Sequence, residues 1–146
     1  MNTAEMPAVA KMLDEAGFHG VLVSDHQIYP RELSAPYPAT EDGKLFWHPD
    51  TEWPDAWVLI GAMAAVTENL RFGNNVYIAP SRPLLQVAKQ VATAAALSEG
   101  RVSIGVSAGW MREEFELQAQ QFENRGRRLN EMIEALRALW KGGWVS

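Results

Sequence analysis

Apolar positions fall into helical and strand patterns that alternate along the chain. Met6, Val9, Ala10 and Leu13 recur at i, i+3, i+4 and i+7, which places one apolar stripe on a helix. Pro7 fits its first turn, and Gly17 stands where a helix end favours glycine. The run Gly20-Val21-Leu22-Val23-Ser24 reads as a short buried strand. Pro54 suits the first position of a second helix, after Thr51 to Trp53. Trp57, Ile60, Met63 and Ala64 give that helix its stripe, and Ala62, Ala65 and Val66 widen it, so it should be well buried. Leu70 to Ile78 is the next strand; Gly73, Asn74 and Asn75 break its apolar pattern and predict a bulge or the close approach of a ligand. Leu84 to Leu97 is helical, with Leu84, Val87, Ala88, Val91 and Ala95 on one side and Gly100 beyond its end. Val102 to Trp110 forms a third strand that ends in small residues. It opens into a short helix holding Phe115 and Phe122, with Glu113 and Glu114 at its positive end. Leu129, Met132, Ile133, Leu136, Leu139 and Trp140 make the last stripe, with Arg125, Arg127, Arg128, Glu131 and Arg137 toward solvent and Gly142-Gly143 as the stop. The charged run from Glu123 to Arg128 reads as a solvated helix junction, not a binding patch.

No periodicity is visible from Gln27 to about Trp53. That stretch holds Pro30, Pro36, Pro38 and Pro49 together with Tyr29, Tyr37, Phe46, Trp47 and Trp53. Loops longer than about 15 residues are usually functional or disordered, and the aromatic content argues against disorder. The segment is expected to be an ordered lid or pocket wall; the alternative is a packing flap over one end of the core.

Alternating helices and strands build a parallel sheet. About three strands are present, whereas a closed (β/α)₈ barrel needs eight. The expectation is an α/β chain forming one domain over residues 1–146: a partial TIM (β/α)₈ barrel that is a fragment of a larger protein or associates through its open face. Asp25 and His26 stand at the C-terminal end of a strand, where barrel enzymes place chemistry. The plainer reading is that Asp25 ties down the following loop and His26 is polar rim.

Composition narrows the function classes. Among 146 residues the net charge is -5, and no basic stripe suggests nucleic acid. No apolar run approaches the roughly 20 residues of a membrane span, and the start does not read as a signal peptide; a cytoplasmic protein is expected. There is no cysteine, so disulfides and thiolate chemistry are excluded. His19, His26 and His48 are too scattered to propose a metal cluster, and His19 is expected to be solvated.

One ordered set of motifs carries a resemblance over nearly the whole chain. Ser24-Asp25-His26, Thr67-Glu68-Asn69-Leu70-Arg71-Phe72-Gly73, Leu97-Ser98-Glu99-Gly100-Arg101, Gly105-Val106-Ser107-Ala108-Gly109-Trp110 with Glu113-Glu114-Phe115, and Arg125-Gly126-Arg127-Arg128 with Glu131 follow one another. Together they resemble the bacterial luciferase-like monooxygenase superfamily, most closely its coenzyme F420-dependent branch. The resemblance implies a TIM barrel that binds F420, or alternatively FMN, at the C-terminal strand ends. It implies hydride transfer or monooxygenation of a small organic substrate. By position it implies His26 as the proton donor or acceptor. Around the ring it implies Asp25, Asn74, Asn75, Val76, Ser107, Ala108, Gly109 and Trp110, with a non-prolyl cis peptide at Asn75-Val76. Trp110 stands where the sugar-phosphate dehydrogenases of this branch carry a catalytic Glu, so that activity is not expected and Trp110 should wall the pocket. Ala108 stands where luciferase has a phosphate-binding Arg, and the phosphate site of the family usually lies in the second half of the barrel. A homo-oligomer, or dependence on the rest of the barrel, is expected. The alternative from another class is a non-catalytic flavin-binding or partner subunit of the same fold.

Overall fold

The computed structural model describes residues 2–144. In chain order it contains α1 (Met6–Glu15), β1 (Gly20–Val23), α2 (Ala56–Ala64), β2 (Arg71–Asn74), α3 (Leu84–Leu97), β3 (Val102–Ser103), α4 (Arg112–Leu117) and α5 (Arg125–Trp140). The three strands are parallel, in the order β1-β2-β3, with Val21 beside Phe72, Leu22 beside Gly73 and Gly73 beside Ser103. This is the expected α/β partial barrel of three strands flanked by helices.

Strand alternation explains where the core lies. Val21, Val23, Phe72, Val102 and Ile104 pack with Ile60, Met63, Val87, Val91, Met132 and Leu136 from the helices. The opposite face carries Leu22, which is 68% exposed and lies over Gly73: a Cβ there would stand 3.0 Å from Leu22 Cδ2.

Strands two and three are shorter than their apolar runs. The β2 ladder ends at Asn74 and resumes as a single parallel bridge between Tyr77 and Val106. The peptide bond between Asn75 and Val76, in that gap, is cis. Gly105 packs against the Asn74 carbonyl, where a Cβ would come within 2.3 Å of the oxygen. The main chain just beyond β3 thus touches the end of β2 at the bulge that the Gly-Asn-Asn pattern predicted.

One helix start and one helix end differ from expectation. Pro54 precedes α2, and Asp55 is its cap, accepting hydrogen bonds of 3.0 Å from the Trp57 and Val58 amides. A carboxylate can satisfy these free N–H groups and proline cannot. Phe122 lies outside α4, and its ring meets the edge of Phe115 at 5.4 Å.

Two long-range polar contacts fix the strands to the helices. The Asp14 carboxylate at the end of α1 accepts the backbone N–H groups of Glu68 (2.6 Å), Asn69 (3.1 Å) and Leu70 (2.7 Å) just before β2. The Glu68 bond is the largest cause holding its pKa below the usual carboxylate value. The Arg101 guanidinium donates to the Ala64, Thr67 and Leu70 carbonyls. It thereby satisfies the Ala64 carbonyl at the C-terminus of α2 and two carbonyls of the segment leading to β2.

Candidate functional site

β1 ends at Val23 and delivers Asp25 and His26 to the rim of the sheet. Their side chains take different partners. Asp25 is 6% exposed, and both its oxygens are committed. Arg82 donates Nη1 to Oδ2 (2.8 Å) and Nη2 to Oδ1 (2.7 Å), and the Ile78 amide donates to Oδ2 (3.1 Å). Arg82 also lies 4.3 Å over the Tyr77 ring and donates to the Ile78 carbonyl. Burial pushes the Tyr77 phenol up to about 12, opposed by the Arg82 charge and assisted by Asp25 and Asp55. The Asp25 carboxylate ties the tip of β1 to the turn after β2, and the residue also borders the cleft.

His26 faces Glu114. Its Nδ1 lies 3.0 Å from Glu114 Oε1, and the same oxygen accepts the Gln27 amide at 2.8 Å. The Glu114 side chain is 1% exposed and that of His26 12%. The imidazole stacks on Trp47 with centroids 4.8 Å apart and meets the edges of Trp53 at 5.1 Å and Trp110 at 6.2 Å. Glu114 was singled out in the sequence only as an acid near a helix start. Its partner is 88 residues away, and no local spacing reports such a pairing. Its neighbour Glu113 accepts the Ser34 amide from the long loop. Burial raises the Glu113 pKa, but backbone hydrogen bonds from Glu113 itself and from Ser34 outweigh it and hold the group low.

The segment from Gln27 to Trp53 forms no helix or strand, yet it is packed. Trp47 is 8% exposed, and Tyr37 meets Trp47 and Trp110 edge-on at 5.3 and 5.1 Å. With the strand ends this loop encloses a hollow of about 230 Å³. Asp25, His26, Asn75, Val76, Ser107 and Trp110 all line it, beside Tyr37, Phe46, Trp47 and Trp53. Residues expected around one ring therefore come together, and Trp110 does wall the space.

Asn74, Ala108 and Gly109 do not line the hollow. Asn74 follows the strand alternation that buries Phe72, and it is 4% exposed with its carboxamide unpartnered. Gly109 serves packing. Its φ is +84°, and a Cβ would come within 2.7 Å of Ile78 Cγ2 and 3.0 Å of Phe115 Cε2. Only glycine fits such a conformation beside such neighbours.

The rim is held from α5. Arg125 donates to the carbonyls of Gly109 (3.0 Å) and Phe122 (3.1 Å), and Arg128 to those of Pro80 (3.0 Å) and Arg82 (3.1 Å). Both were expected in solvent. They are half-buried instead because the first turn of α5 abuts two loops whose carbonyls lack ladder partners.

No helix among the described residues is long and apolar enough to cross a membrane. The sequence profile described as luciferase-like monooxygenase matches residues 1–146. An uncharacterised protein of Mycobacterium tuberculosis is 37% identical over 136 residues, covering 93% of this chain and 47% of its own length. The FMNH2-dependent dimethylsulfone monooxygenase of Pseudomonas fluorescens is 34% identical over 82 residues, covering 54% of this chain and 22% of its own. Among solved structures, the monooxygenase RslO1 from Streptomyces bottropensis superposes with a TM-score of 0.75 at 24% identity, over 98% of this chain and 38% of that one. The chain thus spans about half the length of the mycobacterial relative.

Proposed function

Because the chain belongs to the luciferase-like monooxygenase family, we propose that the complete protein is a flavin-dependent oxidoreductase acting on a small organic substrate. FMN is the favoured cofactor, with F420 the alternative. The name of the dimethylsulfone monooxygenase supports FMN; the motif resemblance set out above supports F420.

The observation that carries this reading is the hollow at the strand ends. Its walls suit a flat ring: Val76 and Trp110 offer apolar surface, and Asn75 and Ser107 border the same space. Asn75 lines the hollow and is exposed, so its carboxamide can donate and accept at the edge of a ring that carries both kinds of group. No lysine or arginine lines the hollow, so these residues fit the ring and not a phosphate tail. Bound there, the flavin would supply the redox chemistry. His26 would move the proton at its Nε2, because Asp25, the other acid-base group of the β1 tip, is saturated by Arg82 and Ile78.

The test is an absorbance and fluorescence titration of the complete protein with FMN and, separately, F420. A saturable spectral change with either supports the reading, and no change with both overturns it. If flavin binds but no oxidation, reduction or oxygenation of any substrate can be detected, the non-catalytic flavin-binding subunit replaces it.

A further inference from the structure

We propose that Glu114 is a positioning residue: it fixes His26 in the tautomer that carries its proton on Nδ1, leaving the Nε2 lone pair as the proton acceptor in the hollow. This rests on the reading of His26 as the proton-handling group.

A carboxylate only accepts hydrogen bonds, so a nitrogen 3.0 Å from Glu114 Oε1 must carry the hydrogen. The accepting oxygen is itself held by the Gln27 amide at 2.8 Å. Gln27 is braced in turn: its Nε2 donates to Ser81 Oγ (2.8 Å), and its Oε1 accepts from Gln118 Nε2 (3.1 Å). The imidazole is clamped by the face of Trp47 and the edge of Trp53. Turning the ring over would place carbon against the carboxylate and forfeit the bond. Among the described residues no group bonds Nε2, and His26 lines the hollow. That nitrogen is therefore free for a reactant. In the step it serves, an N–H bond forms at Nε2 while an X–H bond of the substrate breaks, and the electron pair stays on the substrate. The imidazolium that results faces the Glu114 charge. The same arrangement of an acid behind an imidazole fixes tautomer and orientation in hydrolytic triads.

A purely structural Glu114 would anchor Gln27 and leave the imidazole free to choose its tautomer. The two roles separate in the nitrogen NMR of the full chain labelled with 15N-histidine, with the His26 signals identified by their loss in His26→Gln. At a pH where His26 is neutral, the proposal expects the Nδ1–H form in the wild type and a mixture with the Nε2–H form in Glu114→Ala, which removes the acceptor. An Nε2–H form in the wild type, or an unchanged tautomer in a folded Glu114→Ala, overturns it. The wild-type spectrum decides even if the variant does not fold. In the complete protein, Glu114→Gln should lower kcat roughly tenfold or more and leave the flavin titration unchanged. Failure to bind flavin would strike the functional reading without touching the tautomer result.

Discussion

The Asp25 carboxylate and the Arg82 guanidinium meet through two parallel hydrogen bonds of 2.8 and 2.7 Å, with 2% and 8% of their side chains exposed. The pair joins the tip of β1 to the turn after β2, so two parts of the hollow share one fastening. Removing one member of a buried pair strands the other charge in a poorly solvated place. Arg82→Ala should therefore cost about 3–5 kcal/mol, read as a lower urea midpoint. Arg82→Lys should recover only part of this, because an ammonium cannot make the two-pronged contact.

Tyr77 predicts an alkaline limit. Its folded pKa is raised from 10.0 to about 12, chiefly by burial. The stability it contributes is complete below its unfolded value and is lost as pH rises through the folded one, because the unfolded chain ionises first. Urea midpoints should fall as pH rises from 10 toward 12. Tyr77→Phe should flatten that slope.

Gly109→Ala tests the packing role given to this residue. Its φ of +84° and the 2.7 Å approach to Ile78 leave no room for a methyl group. A loss of about 1–3 kcal/mol is expected. Because Ser107 and Trp110 flank this turn, the same variant should weaken flavin binding in the complete protein. Unchanged stability would mean that the turn relaxes freely.

His26→Ala should reduce turnover of the complete protein by about 10²- to 10⁴-fold, the span of a lost general acid or base, with flavin binding retained. Steady-state kinetics with the natural substrate or a surrogate read this directly. Unchanged kcat would remove the imidazole from the reaction.

Much of the scaffold was legible because its signals are local. The stripes of α1, α3 and α5 and the runs of β1 to β3 follow from side-chain periods of 3.6 and 2. The bulge was legible too, since Gly73 followed by Asn74 and Asn75 makes a poor apolar strand. Contacts between distant segments were not. Asp25 finds Arg82 57 positions on, and His26 finds Glu114 88 positions on. A carboxylate that anchors a loop and one that awaits a ligand look alike in sequence. Arg125 and Arg128 show the same limit: a helix surface reads as solvated until the neighbouring loops, with their free carbonyls, are in place. Asn74 and Asn75 are adjacent and chemically identical, yet pleating sends one into the interior and the other to the hollow.

The aromatic segment from Gln27 to Trp53 contributes no strand to the sheet and no helix to the core. It hangs on side chains, among them the Glu113 contact to Ser34 and the Glu52 contact to Thr3. The opposite rim is moored to α5 by Arg125 and Arg128, whose hydrogen bonds go to main-chain oxygens. Tyr37 and Phe46 shape the hollow from this wall, whereas Trp47 and Trp53 also pack on His26, so the first two are the natural place to begin altering the shape of the hollow.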